Sequence, residues 1–365
     1  MKALILAGGY ATRLRPLSYA LPKLLFPVGG TPLLEQTIGH LASFGVDEVI
    51  LAVNYLADQL KQHFGDNYHG VAVRYSLETI PLGTGGPIAL ARPYLEKSGT
   101  FLVMNGDILS DIDISAMQRL HRSTGALATI ALHEVSDPTR FGVARLDEDF
   151  RIREFVEKPE LSEAPSRLVN AGVYLMEPPV IDRIASGRKV IIEREVFPFL
   201  AEEGKLLGYV HSGTWYDIGN IADYVKANFA LLDSKSKGAV IRAEDANIAA
   251  SAKLTGPLYI GDHTTIESNV KLGPQTIIGS NVKVGASATI RGSVIFDHVV
   301  IGGSSLIEKA VIGNSVLIGR EVVVGEGSVV AGHVSIRDRV RLVHNVYVHP
   351  HKEINEDIPT SGHVV

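Results

Sequence analysis

Three cations and two carboxylates in this chain stand where loops leave apolar strands. The first cluster is the densest: an apolar run at residues 3–6 passes into Leu6-Ala7-Gly8-Gly9, then Thr12 and Arg13, and then Lys23 directly after Pro22. Glycines that follow a buried strand let backbone N–H groups converge on an anion, because no Cβ holds the ligand away. An arginine and a lysine within the same stretch extend that into a cradle for a polyphosphate. Neither GxxxxGK[ST] nor GxGxxG is completed here, so the two commonest phosphate loops are excluded. Read singly, Gly-Gly is a turn and Lys23 a solvated lysine.

Further along, PLGTGGP at 81–87 precedes a helical run at 88–95, and Gly83, Thr84 and Gly86 offer a second close approach of backbone to a flat ligand such as a base. The strand at 101–104 ends in Asn105-Gly106-Asp107, where a carboxylate lies on the ligand side of a parallel sheet and suits a hard cation beside phosphates. Turn chemistry is the plainer reading of the same three residues; Asp111 and Asp113 are read as turn or cap residues. FVEKP at 155–159 and NAGVY at 170–174 bring Glu157, Lys158 and Asn170, a set suited to a phosphorylated sugar. Trp215 is either core or ligand wall, and its neighbour Asp217 is the second candidate metal ligand.

These residues need a scaffold. Helical spacing at 32–44 and 57–64 alternates with apolar runs at 46–53 and 71–75, which predicts an open parallel sheet with helices on both faces and ligands at the carboxyl ends of its strands. From Ile248 the pattern changes. An aliphatic residue recurs every sixth position to Ile290, resumes at Ile295 after a one-residue slip, and resumes again at Ile312. That period predicts a parallel β-helix, each coil burying its aliphatic face only by stacking on the next. The expected organisation is a catalytic domain at 1–232, a polar linker at 233–240 and a β-helix domain at 241–365. Histidines His298, His333 and His344 on the repeat are read as surface residues rather than as bases of a second site.

Composition closes off several classes. A formal net charge of −5 recruits neither nucleic acid nor anionic membrane, and the absence of cysteine removes disulfides, thiolate metal sites and a cysteine nucleophile. No apolar run approaches the ~18 residues of a membrane span, and the cytoplasm is the expected compartment.

The string LAGGYATRLRPLSYALPK resembles the signature of the sugar-nucleotide pyrophosphorylases, as do PLGTGG, FVEKP, NAGVY and WYDIG, all in the family's order. Two positions depart from it: Ala11 replaces a glycine and Leu24 a proline. The resemblance implies a Rossmann-like mixed-sheet nucleotidyltransferase domain followed by a left-handed parallel β-helix, which mediates homo-oligomer formation in this family. It also implies transfer of a nucleoside monophosphate from a nucleoside triphosphate to a sugar 1-phosphate. The tail VYVHPHKEI and PLGTGG are most similar to the short mannose-1-phosphate guanylyltransferases, which implies GTP and mannose 1-phosphate. The alternatives are a thymidylyl- or uridylyltransferase acting on glucose 1-phosphate, and a regulatory subunit without turnover. By the same resemblance Asp107 and Asp217 hold Mg²⁺, Arg13 the triphosphate and Lys23 the α-phosphate region. Lys158 holds the sugar phosphate. Leu6, Ala7, Gly8, Gly9 and Thr12 contact the nucleotide, with Gly83, Thr84 and Gly86 at its base. Gly142, Glu157, Asn170 and Trp215 orient the sugar.

Overall fold

The computed structural model describes all 365 residues, and they divide into two units: residues 1–10 with 34–217, and residues 11–33 with 218–365. The strands of the first unit include β1 (Lys2–Leu6), β2 (Glu48–Val53), β3 (Val71–Leu77), β4 (Phe101–Asn105), β5 (Ile108–Ser110), β6 (Ala128–Glu134), β7 (Gly142–Leu146), β8 (Ile152–Glu157), β9 (Leu168–Met176), β10 (Leu206–His211) and β11 (Trp215–Asp217). Its helices include α1 (Leu33–Ser43), α2 (Ala57–Phe64), α3 (Gly86–Leu90), α4 (Ile114–Thr124), α5 (Ile192–Glu195) and α6 (Phe197–Glu202).

Strands β3, β2, β1 and β4 lie side by side and parallel. Consecutive residues Ala3, Leu4 and Ile5, and likewise 49–53, are inaccessible. Both faces of these strands are therefore covered, and so they read as unbroken apolar runs rather than alternating ones. The parallel order ends at β4, where β9 pairs antiparallel and brings β6 and β7 with it, making the sheet mixed. The register of β9 against β6 shifts between Asn170 and Tyr174, a bulge at the NAGVY segment. Residues 192–202 form two helical pieces, α5 and α6, rather than one, because the chain leaves helical geometry at Val196 and Pro198 opens the second piece. Asp113 caps α4 through the N–H of Ala116 at 2.8 Å, as read from the sequence.

The second unit begins with the loop 11–33, which runs through three short 3-10 turns, Thr12–Leu14, Leu17–Tyr19 and Lys23–Leu25. Its apolar residues Leu14, Leu17, Leu24 and Phe26 are buried. Leu24, one of the two departures from the family string, is thus a core residue. Phe26 meets Tyr224 and Phe296 edge-on, each at 5.7 Å between ring centres, and the Tyr224 hydroxyl donates to the Pro27 carbonyl at 2.6 Å. Tyr224 belongs to α7 (Ile221–Ser236). That helix includes 233–236, so the first half of the expected linker is its last turn, and it ends at Lys237 in a left-handed conformation.

Ala11, the other departure, has φ 46° and ψ 43°. The loop therefore keeps a left-handed turn although alanine carries a Cβ that disfavours it. The turn is held by Ser18 Oγ and the Leu14 N–H, which both donate to the Ala11 carbonyl at 2.8 and 2.9 Å. Relief of the Cβ clash makes Ala11→Gly stabilising by about 0.5–1 kcal/mol. Urea unfolding checks this, and a loss of stability would show that unfolded-chain entropy outweighs the strain.

Beyond α7 the chain winds through three parallel sheets, of eight, seven and six short strands, as expected for a left-handed hexapeptide helix. Residues such as Ile260, Ile266 and Leu272 point inward and are almost wholly inaccessible. The two slips in the period are absorbed without loss of stacking: Ile277 pairs with Val294, and Val294 with Val311, in coils one residue shorter than the coil that pairs Leu258 with Thr276. Corners are turned by residues with positive φ, among them His298 at 60° and His333 at 61°. Both are exposed, as is His344, consistent with surface roles.

Candidate functional site

The carboxyl ends of β1, β2 and β4 form the floor of the site in the first unit. After Leu6 the backbone turns, with the Ala7 N–H donating to the Ala52 carbonyl at 2.8 Å and the Gly106 N–H to the Leu6 carbonyl at 3.0 Å. Gly8 follows, and a Cβ there would lie 2.3 Å from Oε1 of Glu78. A side chain there would displace the Glu78 carboxyl group. Glu78, just past the end of β3, is one of the functional candidates the sequence reading passed over. Its Oε2 accepts the Leu82 N–H at 3.1 Å, and burial raises its pKa. A half-satisfied carboxylate against the nucleotide glycine is placed to accept N–H groups from a ligand.

Gly83 has φ 77°, and a Cβ on it would lie 2.4 Å from the Val190 carbonyl oxygen. The segment 82–86 is clamped to residue 190 by the Gly85 N–H to Val190 O and Val190 N–H to Leu82 O, at 2.9 and 3.0 Å. Close packing thus accounts for Gly83 on its own, independently of a base. Thr84, expected at the base, turns its hydroxyl inward. It donates to Oε2 of Glu193 at 2.5 Å and accepts the Ile192 N–H at 3.0 Å.

The two candidate metal ligands are related by a two-stranded ladder. β11 pairs antiparallel with β5, and Asp217 lies opposite Ile108, the neighbour of Asp107. The turn after β4 and the end of β11 are thereby brought together from 110 residues apart in sequence. Carboxylates are the donor type that a hard divalent cation takes. Asp111, by contrast, is structural: its Oδ1 accepts the Thr214 N–H at 2.7 Å and faces His211 Nε2 at 3.0 Å.

The third group surrounds Tyr174. Its hydroxyl accepts from Asn170 Nδ2 at 2.9 Å, and Asn170 Oδ1 accepts the Gly172 N–H at 2.9 Å. Much of the Asn170 amide is therefore engaged in holding the bulge. Tyr174 is fully buried; burial first, and then the carboxylates of Glu193, Glu157 and Asp107, raise its pKa well above the usual value. Glu157 pairs with Gly142 across the β7–β8 ladder. Lys158, in a left-handed conformation with φ 53°, puts Nζ 3.8 Å from Glu157 Oε1 while its N–H donates to Phe141 O at 3.0 Å. Trp215 donates its indole N–H to Ala171 O at 3.0 Å and packs between His133 and Phe141, at 5.2 and 5.4 Å.

Glu193 was not singled out by the sequence, yet it is the most buried acid of the group, at 7% exposure. Burial raises its pKa against the opposing pull of the Thr84 hydroxyl and Lys158; Glu157 is raised by burial and then by Glu193. A raised folded-state value gives stability that is present below the ordinary 4.5 and is lost as pH rises through the folded value. Glu193→Gln removes that ionisation. It is expected to match the wild type near pH 4 and to exceed it in unfolding free energy at pH 7.5. Equal stability at both pH values would show that Thr84 and Lys158 offset the burial completely.

Of the expected residues, Leu6, Ala7, Gly8, Gly9, Gly83, Thr84, Gly86, Asp107, Gly142, Glu157, Lys158, Asn170, Trp215 and Asp217 all fall in the first unit. Thr12, Arg13 and Lys23 fall in the second, on the loop 11–33, where Thr12 and Arg13 are exposed.

Residues 2–234 match the nucleotidyl transferase family and residues 254–364 the GMPPB C-terminal domain. A probable mannose-1-phosphate guanylyltransferase 1 of Oryza sativa subsp. japonica is 35% identical over 364 residues, 98% of each chain. The mannose-1-phosphate guanylyltransferase of Mycobacterium tuberculosis is 37% identical over 281 residues, 74% of this chain and 77% of that one. Among solved structures, HddC from Yersinia pseudotuberculosis complexed with GMP-PN has a TM-score of 0.54 and 30% identity, covering 63% of this chain and 99% of that chain. With the family matched over well over half its length and a relative of this identity spanning nearly all of it, the chain belongs to the nucleotidyl transferase family.

Proposed function

We propose that the protein transfers GMP from GTP to mannose 1-phosphate, releasing pyrophosphate and forming GDP-mannose, with residues 1–232 as the catalytic domain. The observation that carries this reading is the convergence in the first unit. A glycine turn follows β1 of the main sheet, a separate two-stranded ladder sets Asp217 opposite the neighbour of Asp107, and Lys158 faces Glu157 at the end of β8. The relatives named above act on mannose 1-phosphate by name, and the solved neighbour was determined with a guanine nucleotide analogue.

An oxygen of the sugar phosphate attacks the α-phosphorus in line with the departing pyrophosphate. That oxygen is already anionic near neutral pH, so no general base is required. The barrier is repulsion between two anions, and catalysis consists of neutralising and aligning them. Lys158 holds the sugar phosphate, while Glu157 and the Gly142 backbone take the sugar hydroxyls. Glu193 and Tyr174 fix the wall behind them, and Thr84 ties that wall to the nucleotide side. Arg13 receives the triphosphate and Lys23 the α-phosphate region. Glu78 is the acceptor for guanine, whose Watson–Crick edge presents adjacent N–H donors. Asp107 and Asp217 would hold a divalent cation such as Mg²⁺, which would supply positive charge beside the phosphates. The β-helix serves self-association, and the reaction belongs in the cytoplasm.

Pyrophosphate release, crossing GTP, dTTP, UTP and ATP with mannose and glucose 1-phosphates, tests the proposal. Selective release with GTP and mannose 1-phosphate is expected. Activity with another pair would overturn the substrates, and silence with GDP-mannose still bound would replace turnover by a regulatory role.

A further inference from the structure

Two tyrosines beside the glycine turn have no part in the chemistry above. Tyr10 follows Gly8-Gly9 beyond the end of β1, and Tyr55 follows β2; both lie in the first unit. Their ring centres are 5.9 Å apart and the planes are tilted by 48°, so the rings touch without stacking on one another. Tyr10 is 46% exposed and Tyr55 39%, which leaves much of this aromatic surface facing water. The residue after each ring has a left-handed backbone that a Cβ disfavours: Ala11 at φ 46°, and Leu56 at φ 58°, where it precedes α2 without a side-chain cap. Backbone strain of this kind collects at ligand clamps.

Position in the sheet points to the ligand. β1 has β2 on one side and β4 on the other, and the candidate metal ligand Asp107 follows β4. On the opposite side Glu78 follows β3; its N–H donates to the Val53 carbonyl at the end of β2 at 2.8 Å, and its carboxyl group packs against Gly8. Tyr10, Tyr55 and Glu78 therefore leave three neighbouring strand ends on the side of the glycine turn away from Asp107. A base set against Glu78 is held only at its edge. Its flat faces still require apolar surface, which an aromatic ring supplies. A purine offers two fused rings to such a wall and a pyrimidine one.

We infer that Tyr10 and Tyr55 form an aromatic wall on which the nucleotide base stacks, and that the pair favours a purine over a pyrimidine. The inference rests on the assignment of guanine to Glu78 above and adds the contact that holds the base by its face. Stacking uses the ring and not the hydroxyl, so phenylalanine serves at either position as well as tyrosine.

The test is a calorimetric titration of the full chain with GTP in the presence of Mg²⁺ and without sugar phosphate, so that no turnover occurs, with UTP as competitor. The ring ¹H–¹³C signals of ¹³C-labelled tyrosine are followed in parallel and assigned with Tyr10→Phe and Tyr55→Phe. Saturable ring-current shifts at both tyrosines are expected. Tyr10→Ala and Tyr55→Ala are each expected to weaken GTP binding roughly tenfold and to narrow the preference for GTP over UTP, while both phenylalanine variants bind as the wild type does. Both positions are exposed, and the melting temperature checks that the variants keep the fold. Saturable GTP binding with unmoved tyrosine signals, or an unchanged GTP preference in both alanine variants, would overturn the inference alone. Absence of any saturable heat with GTP would overturn the guanine assignment together with it.

Discussion

Asp107→Asn is expected to lower turnover by roughly two to four orders of magnitude with the melting temperature unchanged. The replacement is nearly isosteric, and the turn that carries Asp107 is fixed by backbone contacts: the Gly106 N–H to Leu6 O at 3.0 Å, and the pairing of β5 with β11. None of these depends on the carboxylate. What is lost is one of two negative oxygen donors at the point where a divalent cation meets the phosphates. Saturating Mg²⁺ should recover part of the rate if the cation is still bound by Asp217 alone. A folded variant with the wild-type rate and metal dependence would remove Asp107 from the site and leave it as a turn residue.

Arg13→Ala is expected to reduce kcat/KM for the nucleotide by about 100- to 1,000-fold, again without unfolding. Arg13 is exposed, on a turn whose shape is set by the buried Leu14 and Leu17 and by the bonds to the Ala11 carbonyl. Removing its side chain therefore leaves the loop's packing intact. The loss falls on the departing pyrophosphate, where charge grows as the bond breaks. Arg13→Lys should recover only a fraction, since an ammonium lacks the planar fork that meets two phosphate oxygens together. Steady-state kinetics at varied nucleotide concentration decide it, and unaltered kcat/KM would show that Arg13 does not meet the triphosphate.

Much of the fold could be read from the chain because its signals are local and periodic. The strand at 3–6, its glycine turn and the six-residue period require no knowledge of distant contacts. Even the two slips near Ile295 and Ile312 correspond to short coils. Glu193 escaped for the opposite reason. A glutamate in IIEREVF reads as the wet side of a helix, and only its bond to Thr84, 109 residues away, reveals a buried acid. Tyr174 and Glu78 are of the same kind: their meaning comes from what packs against them. The polar stretch at 234–238 was read by composition, yet lysine and serine are acceptable in a last helical turn, and α7 runs on to Ser236. Nor could a single boundary near 232 capture a division that cuts the chain at 10/11, 33/34 and 217/218.

That threefold cut has a consequence for how such proteins can be recombined. The loop carrying Arg13 and Lys23 shares its core with α7 and the first coils of the repeat, through Phe26, Phe296 and the approach of Gly30 to Tyr259. A chimera that joins the front of this chain to another relative's repeat near residue 232 would graft a foreign surface beneath its own phosphate loop. Exchange works as a unit only if residues 11–33 travel with the repeat. The repeat is thus part of the heritable specification of the loop 11–33, and substitutions at coil positions such as Tyr259 and Phe296 bear on that loop's shape.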